Sequence, residues 1–148
     1  MRAILARPLS YIDSAINADI PAKWSARQAD NVIELEPPSG DAAVHISVLR
    51  RRTEKKPKAG QALALVRSFV MWNEAESANP PTEVWEGSEL VAKGSCGEPG
   101  SRRRWDIAVR MGHRRLLIFS YTDDGSEDLA RREAEILFSS IELDHDAR

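Results

Sequence analysis

The side chains of this chain that could do chemistry are few and widely spaced. Cys96, in GSCG, is the single thiol of the sequence. As a nucleophile it would need a base, and His45 and His113 are the internal candidates. Their spacing puts one on a strand and the other in a hairpin turn, with nothing to bring either to Cys96. It therefore reads as an ordinary loop cysteine, which has no partner for a disulfide. The histidines at 45, 113 and 145 show no metal-ligand spacing, and His145 lies in the acidic tail LDHDAR. No glycine-rich loop follows a strand and opens a helix, so the phosphate-cradling motifs are missing. No metal or cofactor is expected, and the chain reads as a non-enzyme.

Glu133 is the one carboxylate that intrudes on a predicted apolar helix stripe. A general base is one reading; an ion pair with an arginine of the sheet is the simpler one, because a charge in a core needs a partner. Trp24, Trp72, Trp85 and Trp105 read as core rather than as ligand stackers. The basic runs are the remaining candidates: Arg50-Arg51-Arg52, Lys55-Lys56-Lys58, Arg102-Arg103-Arg104 and Arg114-Arg115.

Those runs reflect a block pattern. The net charge is −2, yet residues 41–70 and 101–120 each carry +5, whereas 71–100 carry −5 and 121–148 carry −6. Basic strand ends gathered on one edge would form an electropositive rim suited to an acidic protein partner. The acidic last helix and a pI near 5.9 argue against nucleic acid.

The elements that must position these residues follow from hydrophobic periodicity. With 148 residues, 42% hydrophobic and 30% charged, the chain suits one globular domain over residues 1–148, within which the family resemblance described below implies a core of about residues 14–143. Ile16, Ala18 and Ile20 alternate before Pro21, NVIELEPP closes on a proline pair, and Val44, Ile46 and Val48 alternate in AAVHISVLRRR; each reads as a strand. The loop RRTEKKPKAG leads to a helix from about Lys58 to Asn73. Its apolar stripe comprises Ala62, Leu63, Leu65, Val66, Phe69, Val70 and Trp72. Strands are expected at Val84–Glu86 and Glu89–Ala92, with GSCGEPG as a loop.

RRWDIAVRMGHRRLLIFSYTDDG is the clearest hairpin. A Gly112-His113 turn would set Val109 opposite Leu116, Ile107 opposite Ile118 and Trp105 opposite Ser120, with Arg110 and Arg115 facing one another near the tip. The second strand is apolar on both faces and should be central. The last helix would be capped by Asp124 with Glu127 and buried through Leu129, Ala130, Ala134, Ile136, Leu137 and Ile141. Strands, helix, strands, helix in that order predict an α+β fold with a mostly antiparallel sheet flanked by helices.

With ADIPAKW, AAVHISVLRR, the amphipathic helix, LLIFSYT and EAEILFSSI in these positions, the chain resembles the PsbP-like α-β-α sandwich, including the bacterial DcrB-like proteins. The resemblance implies a protein-binding role, as in chaperones that load type VI secretion effectors. It supplies no catalytic motif.

The expected function is therefore a non-catalytic bacterial adaptor, effector chaperone or toxin-neutralising protein. A small-ligand or lipid carrier and an enzyme of unrecognised type are the alternatives. Its partner surface is placed at Arg102, Arg103, Arg104, Trp105, Arg110, Arg114, Arg115, Phe119 and Tyr121. MRAILARPLS offers four apolar residues between Arg2 and Arg7, short of the roughly 7–15 of a secretory leader. No apolar run approaches the ~20 residues of a membrane span, so a cytoplasmic location is expected.

Overall fold

The computed structural model describes residues 6–11, 16–29, 32–53, 55–125 and 128–143. Along the chain run β1 (Ala6–Tyr11), β2 (Ile16–Pro21), β3 (Ser25–Ala29), β4 (Val32–Glu36), β5 (Ala43–Arg50), α1 (Gln61–Trp72), β6 (Glu76–Ser77) and β7 (Thr82–Glu86). They are followed by β8 (Glu89–Gly97), β9 (Arg104–Met111), β10 (Arg115–Asp123), α2 (Asp128–Ser140) and β11 (Glu142–Leu143). Eight strands form one sheet in the order β3-β4-β5-β10-β9-β8-β6, with β7 also on β8, and β1-β2-β11 form a second. Every pairing among the described residues is antiparallel. The class is α+β.

The two helices lie on opposite faces of the large sheet and divide its core. On one face α1 covers β8 and β9, where Ala62 and Val66 pack with Leu90, Ala92, Ile107, Val109 and Met111. On the other, α2 and β2 cover β4, β5 and β10, burying Ile16, Trp24, Ile33, Ile46, Leu117 and Leu137 among others. The strand β10 alternates between the two cores, with Leu117, Phe119 and Tyr121 toward α2 and Leu116 and Ile118 toward α1. That is why both of its faces are apolar, as expected of a central strand.

Gly94 lets α1 approach. A Cβ there would lie 2.9 Å from Val66 Cγ1 and 3.3 Å from Pro81 Cβ, inside van der Waals contact. The helix starts at Gly60, at φ +93°, without a side-chain cap of its own. Glu83 on β7 supplies one from outside, accepting hydrogen bonds from the Gly60 and Leu63 amides at 2.6 and 2.8 Å. A carboxylate there satisfies two orphan donors and faces the positive helix end.

Several expectations are corrected. The hairpin exists, but its register is shifted by two residues. Ile118 pairs with Val109, Ser120 with Ile107 and Asp123 with Arg104. The Gly112 amide bonds to the Arg115 carbonyl at 3.0 Å, which moves the tip to His113-Arg114. Arg110 therefore opposes Leu117 instead of Arg115, and Arg115 opposes Arg50 on β5. GSCG is no loop: it ends β8, paired with β9 from Gly94 to Gly97. The α1 stripe is narrower than periodicity suggested, with Trp72 74% exposed. Leu129 and Ile136 are exposed on α2 because the helix docks through Ala130, Ala134 and Leu137. The expected Asp124–Glu127 cap lies partly outside the described residues.

Candidate functional site

On its α2 side the large sheet carries three successive cross-strand rows. Lys93, Ala108 and Phe119 form the first, Ser95, Asp106 and Tyr121 the second, and Gly97, Arg104 and Asp123 the third. The helix α2 does not cover all of this surface. A cleft of about 510 Å³ remains between it and β8–β9, floored by the first two rows and walled by Arg131, Ala134, Glu135 and Phe138 on one side and Asn79, Pro80 and Thr82 on the other. Its size falls in the ~300–1,000 Å³ range of ligand-sized clefts.

The ionisable groups here are engaged with one another. Arg131 reaches from α2 to the sheet and donates to both Asp106 oxygens at 2.8 Å, while Ser95 Oγ donates to Asp106 Oδ1 at 2.8 Å. The bonds that Arg131 donates to Asp106 hold its guanidinium above its ordinary pKa, so this is a permanent cation in a bidentate pair. Lys93 crosses the cleft to place its ammonium 5.2 Å from the centre of the Phe138 ring, a cation–π contact.

The third row is more deeply set. Asp123 is buried, and its carboxylate accepts from Arg104 Nε at 2.8 Å, Tyr121 Oη at 2.7 Å and the Gly125 amide at 2.8 Å. Burial pushes this carboxyl up, but the bonds from Arg104, Tyr121 and Gly125 outweigh it and hold the group below its ordinary pKa. Both acid clusters thus join strand to strand or helix to sheet.

Sequence reasoning missed Asp106, Arg131 and Ser95. The available signal was Asp106 itself, the single acid of the +5 segment 101–120, which alternates onto the same face as Ala108.

The expected partner surface is divided. Arg102 and Arg103 are exposed just before β9, and Arg104 follows, tied to Asp123 and 4.0 Å from Asp128. Arg114 and Arg115 lie at the opposite end of β9, roughly 23 Å away at ~3.3 Å per residue. Arg110 between them donates to Glu89 at 2.7 Å and to the Ile141 carbonyl at 2.5 Å. Phe119 and Tyr121, expected as exposed apolar anchors, are 5% and 2% accessible and belong to the core and the cleft floor. Trp105 points to the α1 side, where its ring meets Phe69 edge-on at 6.5 Å.

The other candidates also resolve. Cys96 is buried on the α1 face of β8, where burial pushes its thiol pKa up. His45 is three strands away on β5, with Nε2 3.9 Å from Glu34. Glu133 accepts from the indole Nε1 of Trp24 at 3.2 Å, so an indole takes the place of the expected arginine. Among the described residues no helix is long and apolar enough to cross a membrane, and no three His, Cys, Asp or Glu side chains form a metal-binding group.

No family model and no curated protein matches the chain. Among solved structures, one from Bacteroides thetaiotaomicron VPI-5482 is similar with a TM-score of 0.67 at 13% identity, over 97% of this chain and 50% of that one. The chain spans about half the length of that relative. LpqN of Mycobacterium tuberculosis, described as involved in cell envelope biogenesis, gives a TM-score of 0.49 at 13% identity over 94% of this chain and 90% of that one. At such identity a likeness is one of fold alone.

Proposed function

We propose that this chain is a non-catalytic protein-binding domain of the PsbP-like type, acting in the bacterial cytoplasm as an adaptor, effector chaperone or toxin-neutralising partner, and that it receives its partner in the cleft beside α2. The observation that supports this most directly is the pairing within the cleft. Asp106, Arg131 and Ser95 satisfy one another, which leaves the partly buried Phe138, beside a buried floor of Ala108 and Phe119, as the apolar part of the cleft within a polar margin. Interfaces that recognise polypeptide have this composition, with an apolar centre and satisfied polar groups around it. The two core clusters lie on opposite faces of the sheet, so the cleft wall rests on a packed support.

The test is photo-crosslinking in the cell of origin. A benzophenone amino acid at Lys93 or Ser139, both in the cleft lining, is expected to capture a protein. At His45, on the sheet's other face, it is expected to capture none. Lys93→Glu, at an exposed position of the cleft lining, should abolish the Ser139 crosslink while leaving the thermal transition within a few degrees. Equal capture from His45, or a Ser139 crosslink that survives Lys93→Glu, overturns the reading.

A further inference from the structure

A separate surface lies at the end of the sheet where the β7–β8 and β9–β10 hairpins turn. One cross-strand row there runs Trp85, Leu90, Met111, Leu116, Leu49 across β7, β8, β9, β10 and β5. Leu90 and Met111 are buried and Leu116 packs against the α1 core, but the two ends of the row, Trp85 and Leu49, are 42% and 40% exposed. Four strand spacings separate them by roughly 19 Å.

Cations collect around this row. Arg52, just past β5, and Lys55 and Lys56, on the loop leading to α1, are exposed, whereas Arg50 alternates with Leu49 onto the α2 face. The loop is held by Arg51, whose Nη1 donates to the carbonyls of Lys55 at 2.7 Å and Gly112 at 2.6 Å, and whose amide donates to the Arg114 carbonyl at 2.7 Å. One arginine therefore ties the basic loop to the hairpin tip. Lys56 places its ammonium 4.9 Å from the Trp85 ring centre. On the acidic side of this end, Glu89 is taken up by Arg110 and Glu86 is exposed.

From this juxtaposition we propose that the basic end is a docking surface for an acidic polypeptide segment carrying an apolar residue, with Trp85 as its anchor. Charge complementarity selects the occupant: three exposed cations, Arg52, Lys55 and Lys56, on one clamped loop steer an anionic chain. A tryptophan at their edge supplies the contact that carries binding energy. A nucleic acid fits less well, since stacking of successive bases needs several aromatic side chains and Glu86 borders the row. The inference rests on the reading of the chain as a protein-binding domain, but on a different surface from the cleft.

Fluorescence anisotropy tests it with a labelled glutamate-rich peptide bearing leucine at every fourth position, its glutamine counterpart and oligo-dT. The acidic peptide is expected to bind at low salt and to weaken as salt rises, with the glutamine peptide at least about tenfold weaker. Arg52→Glu with Lys55→Glu should weaken the acidic peptide by about tenfold or more, and Trp85→Ala by about fivefold with an unchanged salt slope. Arg102→Glu with Arg103→Glu, at the far end, should change it little, as should Lys93→Glu in the cleft. Binding of the acidic peptide no tighter than that of the glutamine peptide overturns the proposal. So does oligo-dT binding as tightly as the acidic peptide, or an equal loss on reversing Arg102 and Arg103. Retained peptide binding in Lys93→Glu separates this surface from the cleft, so the failure of one reading is not the failure of the other.

Discussion

Arg104 and Asp123 face each other across the β9–β10 ladder, with Nε 2.8 Å from Oδ1. The aspartate is buried and the arginine 32% exposed, so this bond links the start of β9 to the end of the central strand just before α2. Tyr121 and the Gly125 amide complete the carboxylate's shell.

That shell has a pH signature. A carboxyl held below its unfolded value stabilises the fold above that value, and the contribution is lost as pH falls through the lowered folded value. The wild type should therefore lose stability in the acid range below about pH 4. Asp123→Asn should cost about 2–3 kcal/mol at neutral pH, less than a fully buried pair because Arg104 is partly solvated, and should flatten the acid limb. Urea unfolding at several pH values measures both. An unchanged acid limb in the variant would place the dependence elsewhere.

Glu83 caps a helix to which it does not belong. Glu83→Ala should destabilise the protein by about 1 kcal/mol and speed hydrogen exchange at the Gly60 and Leu63 amides ahead of the rest of α1. Glu83→Gln, which keeps one acceptor, should fall between the two.

Gly94 and Val66 should couple. Gly94→Ala forces the added methyl against Val66 Cγ1 and should cost about 1–3 kcal/mol. In a Val66→Ala background the new methyl has room, so the same change should cost at least about 1 kcal/mol less. Equal costs in the two backgrounds would mean that Pro81 is the obstacle.

Much of this architecture was legible wherever one strand faces one core. Ile16, Ala18 and Ile20 alternate and are all buried, and Val44, Ile46 and Val48 do the same on β5. What escaped was set by contacts across the fold. The hairpin register was read from Gly112 as the first turn residue, whereas the tip is His113-Arg114, held by Arg51 from sixty residues upstream. GSCG looked like a loop for its glycines, yet Gly94 is there because a helix packs on it. β3, the edge strand SARQA, shows no alternation to detect, having only Ala26 packed inward. The cleft joins Asp106 to Arg131, and no local spacing pairs residues on a strand and a helix that far apart.

Cys96 behaves differently on a buried strand than it would in a loop. In a loop it would tolerate serine without effect; buried on β8 at 2% exposure, it should not. The hydroxyl of Cys96→Ser replaces a thiol among apolar neighbours and should cost about 1–2 kcal/mol unless it finds an acceptor. Cys96→Ala should cost a similar amount through the lost volume. Because burial also pushes the thiol's pKa up, little thiolate exists near neutral pH and reagent cannot reach it. Ellman's reagent should therefore label the native protein slowly, at a rate that rises with urea in step with unfolding, while both variants keep wild-type binding of the partner captured at the cleft. Fast labelling of the folded protein would show that β8 opens at this edge, where β6 contributes only the short pairing of Ser77 with Cys96 and Glu76 with Gly97.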